Sequence, residues 1–284
     1  MEKLLKGKIV ADKINEEILS RLPALYEKGI VPTLAIVRVG ENPGDIAYEN
    51  GAVKKAKSLG LQTEKFICPA DMETEDLIAV IRSINENKNI HGILLLQPLP
   101  DHIDGERVRN SLAWEKDLDC ISDRALGNLF VGAEGFAPCT AESCLEILKF
   151  YDIAVEGKKV VVIGRSMVIG KPVALMLLSA NGTVTVCHTR TKKEDLIRCC
   201  LDADILVVAA GCRNTLTAEM VRSGQTVIDV GINFDEEGKM QGDADFEGIS
   251  QIVDHITPVP GGVGSATTSV LMRHLVEAAE REKN

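Results

Sequence analysis

Basic charge is in short supply. Lys and Arg number 32 against 42 Asp and Glu, a formal net charge of −10, and no Lys/Arg run exceeds a pair such as Lys192-Lys193. A nucleic-acid backbone needs a concentrated basic surface, so nucleic acid is excluded as a partner. Long apolar runs are also missing: stretches such as Gly92 to Leu96 and Ile205 to Ala210 fall far short of the ~18 residues of a membrane span, which excludes a membrane-crossing role. The segment Met1 to Lys8 has charges but no apolar core and no small-residue cleavage site, and the expectation is a cytoplasmic protein. Aromatic residues make up only 4%, so the core is mostly aliphatic. The eight cysteines contain no Cys-x-x-Cys and the five histidines no metal-ligand spacing, so reduced thiols and no metal are expected.

What is present is an alternation of helical and strand periods. Ile9, Ile14, Ile18, Leu22 and Leu25 recur as on one helix face before Gly29 and Pro32. Thr33 to Val39 then reads as a short strand ended by Gly40, followed by a helix from Asn42-Pro43-Gly44 to about Leu59-Gly60. Gln62 to Ile67 predicts a strand, Glu73 to Glu86 a helix, and His91 to Leu96 a buried strand closed by Pro98 and Pro100. Past a helix from Thr140 to about Asp152, strands are predicted at Lys159 to Ile163, Thr183 to Cys187, Asp204 to Ala209 and Thr226 to Val230, with a last helix from Thr267 to about Arg281. Such alternation implies an α/β protein of two domains, the second a Rossmann-like doubly wound parallel sheet. We expect residues 1–145, joined by the C-terminal helix 267–284, to form one domain and 146–266 the other.

A phosphate-binding turn follows the strand Lys159 to Ile163. Gly164 permits the tight strand-to-helix turn, Gly170 lets helix and ligand approach, and Pro172 suits the first helical turn. Ser166 stands at the second glycine of the usual G-x-G-x-x-G pattern. About 24 residues after Gly164, where NAD-binding folds carry an acid, the chain has His188-Thr189-Arg190. Arg190 and Arg165 instead offer cations for a 2′-phosphate, which argues for NADP over NAD. The alternative for both arginines is a solvated surface role. Two further strands end at Ala209-Ala210-Gly211 and at Asp229-Val230-Gly231-Ile232-Asn233, where small residues border a ligand.

Across nearly its whole length the chain resembles the methylenetetrahydrofolate dehydrogenase/cyclohydrolase family of the bifunctional FolD type. The resemblance is carried by Val39-Gly40 with Tyr48, by His91-Gly92-Ile93-Leu94 with Pro98-Leu99-Pro100, by Lys116-Asp117-Leu118-Asp119 and by Pro138-Cys139-Thr140. It continues through Gly164-Arg165-Ser166 with Gly170-Lys171-Pro172, Asp229-Val230-Gly231-Ile232-Asn233 and Thr257 to Gly264. The resemblance implies oxidation of 5,10-methylenetetrahydrofolate by hydride transfer to NADP and, in bifunctional members, hydrolysis of the methenyl product to 10-formyltetrahydrofolate. It implies tetrahydrofolate derivatives as ligands, held in a cleft between two domains, and a homodimer. By the same resemblance Tyr48 stacks on the folate and Asp119 hydrogen-bonds the pterin. Gln97, Pro260, Gly261 and Gly262 line the substrate, and Gly164, Arg165, Ser166, Gly170, His188, Thr189, Arg190, Gly211 and Ile232 hold the cofactor.

Departures from the family pattern concern the hydrolytic step. The family lysine four residues after the tyrosine is Ala52 here, and the glutamine two residues before the strand-ending proline is Leu96. Lys54 lies about 240° round the helix from Tyr48, while Lys55 returns to its face about 10 Å along the axis, where it substitutes only with a shifted substrate or helix. Gln97, one place beyond Leu96, points to the other strand face. The expected catalytic set is therefore Tyr48, Lys55 and Asp119, in a dehydrogenase whose cyclohydrolase step is weak or lost. Smaller departures are Cys120, where the family has glycine, and Ser265-Ala266, where it has proline and methionine. Two other readings stay open: a catalytically silent NADP- or folate-binding protein, and a two-domain dehydrogenase for another small substrate.

Overall fold

The computed structural model of the chain describes residues 3–281. It divides into two compact units, one of residues 13–139 with 268–281 and the other of 3–12 with Thr140–Thr267. The division falls at Cys139/Thr140 instead of after residue 145, and residues 3–12 group with the second unit. The cause is backbone pairing: the Leu5 N–H donates to the Ile256 carbonyl and the Gly7 N–H to the Gly261 carbonyl, both at 2.9 Å.

The elements of the first unit begin with α1 (Gly7–Tyr26), which crosses the division, followed by β1 (Thr33–Val39), α2 (Pro43–Ser58), β2 (Gln62–Cys68), α3 (Thr74–Glu86), β3 (Gly92–Leu95), α4 (Gly105–Arg109) and α5 (Asp123–Val131). The strands form a parallel sheet in the order β2-β1-β3. Central β1, β-branched and buried from Leu34 to Val39, is covered by α3, whose Leu77, Ile78, Ile81 and Ile84 recur at helical spacing in one aliphatic cluster. In α1 the buried stripe runs through Val10, Ala11, Ile14, Ile18, Leu22 and Leu25. Ile9 is 42% exposed, against expectation, because it lies off the stripe that Val10 and Ala11 continue.

The second unit holds α6 (Cys139–Phe150) from its second residue, then β4 (Lys159–Ile163), α7 (Gly170–Ser179), β5 (Thr183–Cys187), α8 (Lys193–Asp202), β6 (Ile205–Val208), β7 (Thr226–Asp229), a small hairpin of β8 (Asn233–Phe234) and β9 (Met240–Gln241), α9 (Phe246–Ile249) and β10 (His255–Ile256). Five parallel strands are ordered β10-β7-β6-β4-β5. Numbered from β4, this is the doubly wound order 2-1-3-4-5, with its switch point between β4 and β6. The last helix, α10 (Val263–Arg281), begins four residues earlier than expected, because Val263, Ser265 and Ala266 all tolerate helix once Gly262 has closed the loop. Among the described residues, no helix is long and apolar enough to cross a membrane.

Candidate active site

In the first unit, the motif Lys116-Asp117-Leu118-Asp119 is a small construction in which one residue faces the site and three build it. Lys116 Nζ donates to the carbonyls of Ile84, Asn85 and Asn87 at 2.7 to 3.1 Å, and so satisfies the C-terminal end of α3. Asp117 accepts from the N–H groups of Ile121 (3.0 Å) and Ser122 (2.8 Å), while burial holds its carboxyl above the usual range. Leu118 fills the space over Gly92, where a Cβ would lie 2.2 Å from the leucine, so His91-Gly92 needs its glycine for packing. The His91 N–H donates to the Thr33 carbonyl (3.0 Å) and its Nδ1 accepts from the Thr33 N–H (3.1 Å), which sets β3 beside β1.

Asp119 accepts the Cys139 N–H at 2.8 Å, so the start of α6 is tied to the end of this motif. Burial pushes its carboxyl above the ordinary range, against the Cys139 donor. The Tyr48 phenol, on the second turn of α2, keeps 39% of its surface exposed and is pushed well above its usual value by partial desolvation and by the charge of Asp119. Tyr48, Asp119 and Cys139 thus form one cluster. His274 on α10 backs it, with Nδ1 2.8 Å from the Leu118 carbonyl and 3.6 Å from Cys139 Sγ, and its ring 4.9 Å from that of Phe136. Cys139 and His274 were absent from the residues that sequence reasoning assigned. The Pro-Cys-Thr motif was a signal for the first, and the second had none.

The positions around Tyr48 bear on the hydrolytic question. Ala52 and Leu96 are buried, and Gln97, next to Leu96, is exposed. Lys55 is half-buried on Tyr48's flank of α2, seven residues on. Cys120 adopts φ 54°, the left-handed region, which explains the family glycine there; its thiol is pushed up to about 12 by burial and by Asp117 and Asp119 before it.

In the second unit, Gly164 (φ 138°) closes β4 against β6: a Cβ would meet the Ala209 carbonyl oxygen at 2.1 Å. At Gly170 a Cβ would lie 2.5 Å from the Gly164 backbone, so both glycines are obligatory at this crossing. Ser166 Oγ accepts from the N–H groups of Ile169 (3.2 Å) and Gly170 (3.3 Å), which is what this chain does with the residue at the second glycine position. After β5, the His188 N–H donates to Thr191 Oγ1 (2.9 Å) and the Arg190 N–H to His188 Nδ1 (3.2 Å), a turn that leaves Thr189 and Arg190 exposed. Arg165 is exposed at the end of β4. Pro260, Gly261 and Gly262 belong to this second unit, where a Cβ on Gly7 would strike the Gly262 carbonyl oxygen at 1.9 Å. The N-terminal segment therefore fixes that loop.

At the end of β7 and just after β9 stand two buried carboxylates, Asp229 and Asp243, neither among the expected site residues. Asp229 Oδ1 accepts from the N–H groups of Gly231 and Asp243 (both 3.0 Å), and Oδ2 from Ala244 (2.9 Å). Burial and the neighbouring Asp243 nonetheless push Asp229 up to about 6. A carboxyl whose folded pKa is raised binds extra protons when folded, so its contribution to stability falls as pH climbs from about 4 to about 6 and is constant above. Urea unfolding of the parent and of Asp229→Asn should show the parent losing about 2 kcal/mol relative to the variant between pH 4 and 7. Parallel pH curves would contradict this.

Comparison with known proteins agrees with both halves. The family model described as the tetrahydrofolate dehydrogenase/cyclohydrolase catalytic domain matches residues 5–119, and the NAD(P)-binding domain of the same family matches 138–283. The chain is 46% identical to the bifunctional protein FolD of Alkaliphilus metalliredigens, with all of both chains covered. A crystal structure of the bifunctional FolD enzyme from Campylobacter jejuni superposes with a TM-score of 0.95 at 41% identity over 98% of both chains. The Trypanosoma brucei enzyme, solved with NADP cofactor and inhibitor, gives a TM-score of 0.92 at 32% identity over 99% of both. The chain belongs to the tetrahydrofolate dehydrogenase/cyclohydrolase family.

Proposed function

We propose that the chain is an NADP-dependent methylenetetrahydrofolate dehydrogenase of one-carbon metabolism in which the second family reaction, hydrolysis of the methenyl product, is weak or absent. The observation that carries this reading is that Tyr48 and Asp119 are kept while Ala52, one turn beyond Tyr48 on α2, and Leu96, just past β3, are buried apolar residues. Residues 13–139 with 268–281 take the folate, and the second unit takes NADP.

Tyr48 offers a neutral phenol ring for stacking, since partial desolvation and Asp119 disfavour its ionised form. Asp119 accepts from the ring N–H and amino donors of a pterin, and the Cys139 N–H fixes its orientation. Gln97, exposed just past the end of β3, adds a further substrate contact in the same unit. When bound, NADP supplies the hydride acceptor. The donor set fits it: no carboxylate stands at His188-Thr189-Arg190, and Arg165 and Arg190 present two exposed guanidinium groups to a 2′-phosphate. Gly164, Ser166 and Gly170 form the turn under the pyrophosphate, His188 and Thr189 flank the ribose, and Gly211 and Ile232 border the remainder.

Hydride transfer asks mainly that donor and acceptor be positioned. Hydrolysis asks for a group that moves protons between water and the ring nitrogens, and neither a methyl group nor an isobutyl group does so. The chain is further read as a cytoplasmic homodimer. Its eight cysteines are free thiols, as a reducing compartment requires. Edge strand β5 also exposes Val186, with Leu178 exposed on neighbouring α7, an apolar border suited to a second copy.

The test follows two products at once. With NADP and 5,10-methylenetetrahydrofolate, NADPH should form while the methenyl compound accumulates and decays at the uncatalysed rate. Methenyl cleared well above background would show that hydrolysis survives, and absence of NADPH formation would overturn the dehydrogenase reading.

A further inference from the structure

We propose that Asp243 is a positioning residue for the dinucleotide, clamping the loops after β6 and β7 into one rigid edge for its nicotinamide half. This rests on the reading that Gly211 and Ile232 border the cofactor. Asp243 is fully buried, and its Oδ2 accepts from the N–H groups of Ala210 (2.7 Å) and Gly211 (2.8 Å), both in the loop after β6. Its Oδ1 accepts from Asn233 Nδ2 (2.8 Å), the residue next to Ile232 in the loop after β7, and Asn233 also donates to the Gly242 carbonyl (3.1 Å). The Asp243 N–H donates to Asp229, and its carbonyl accepts from the Thr215 N–H (2.8 Å). One side chain thus ties together three segments that are distant in sequence.

Space confirms the clamp. A Cβ on Gly231 would lie 2.2 Å from the Asp243 carboxyl carbon, and one on Gly242 would lie 1.8 Å from an Asp229 oxygen. Two glycines let the loops close on two carboxylates, while Ala210, Gly211 and Ile232 stay exposed above them. The result is a rigid floor with an open rim.

Sheet order says which half of the ligand meets this rim. The strands run β7-β6-β4-β5, and the 2′-phosphate cations stand at the ends of β5 and β4. A dinucleotide lying across the carboxyl edge from that side, with its pyrophosphate at the turn after β4, brings its other half over β6 and β7. Loosening the clamp should therefore weaken binding of the whole dinucleotide and spare that of its adenosine half.

Calorimetric titration of parent and Asp243→Asn with NADP and with adenosine 2′,5′-bisphosphate tests this. In the variant the amide nitrogen faces Asn233 Nδ2, donor against donor. The expected result is an NADP Kd raised at least about tenfold, with the bisphosphate Kd within about twofold of the parent. An unchanged NADP Kd, or equal losses for both ligands, would overturn the proposal. If Asp243→Asn fails to fold, amide exchange on the parent decides: NADP, but not the bisphosphate, should slow exchange at Ala210 and Gly211, and unaltered exchange overturns the clamp. A parent that binds neither ligand would instead refute the cofactor assignment itself.

Discussion

Replacing Ala52 by lysine and Leu96 by glutamine together is expected to raise the rate of methenyltetrahydrofolate hydrolysis by about two to four powers of ten, the usual contribution of a positioned acid or base. Position 52 lies one turn beyond Tyr48 on α2, so a lysine there projects beside the tyrosine ring, whereas Lys55 starts about 10 Å along the axis. Position 96 extends β3 by one ladder bond, the Leu96 N–H donating to the Val37 carbonyl at 3.0 Å, and its side chain is buried.

Both changes are needed. A lone lysine at 52 would place an ammonium in a buried position without its partner, so burial would favour its neutral form and nothing would hold it against the substrate. Either single variant should therefore gain little and lose stability. Lys55→Ala supplies the control, since it should leave hydrolysis at the background rate in the parent. A parent that hydrolyses the methenyl compound well and loses this with Lys55→Ala would locate the missing lysine seven residues from Tyr48 and overturn the reading.

How much of this was legible in the sequence depends on the kind of signal. Thr33–Val39, Lys159–Ile163 and Thr183–Cys187 were read to the residue, because each is a β-branched run with a sharp polar or glycine boundary. Helix α5 and the hairpin of β8 and β9 were not read. The hairpin strands have two residues each, too few for a period of two to register, and α5 lies in a stretch dominated by the motif before it. The start of α10 was placed too late because glycines at 261, 262 and 264 read as one loop, although only Gly261 has a positive φ.

At the site, motif residues such as Asp119 could be assigned, but those that support them could not. Asp243 stands 14 residues from Asp229, just after a polar hairpin, and its bonds to Ala210, Gly211 and Asn233 exist only once three segments meet. A trace of it was present in Gly231 and Gly242, two glycines flanking the hairpin. Arg38 was a plainer anomaly: a guanidinium inside the otherwise apolar run Thr33 to Val39, with no sequence signal for its partner.

That partner is Glu49, and the Glu49→Gln variant is expected to lose about 3–5 kcal/mol of stability, the cost of stranding a buried charge. Glu49 sits on α2 directly after Tyr48, 3% exposed, with Oε2 2.8 Å from Arg38 Nε and Oε1 2.7 Å from Lys65 Nζ. Arg38 on β1 is 6% exposed and also donates to the Gly40 carbonyl. The helix needs this anchor because its buried face is otherwise poor: Ala52 and Ala56 are the apolar residues it buries, and each contributes only a methyl group. Lys65 is partly open to solvent, so the Arg38 arm carries most of the loss.

The two cations hold the Glu49 carboxyl below the usual range despite its burial. Its contribution is therefore complete above the ordinary glutamate pKa and is lost as pH falls below it, the opposite slope to Asp229. Urea unfolding at pH 7 measures the loss, and the double variant Arg38→Met/Glu49→Leu separates its causes. If the cost comes from an uncompensated charge, the double variant should recover most or all of the stability, because matched apolar side chains replace a buried pair without penalty. The same double variant should still raise the KM for folate, since Tyr48 rides on the turn that the ion pair fixes. Glu49→Gln within about 0.5 kcal/mol of the parent would mean that α2 is held by something other than this pair.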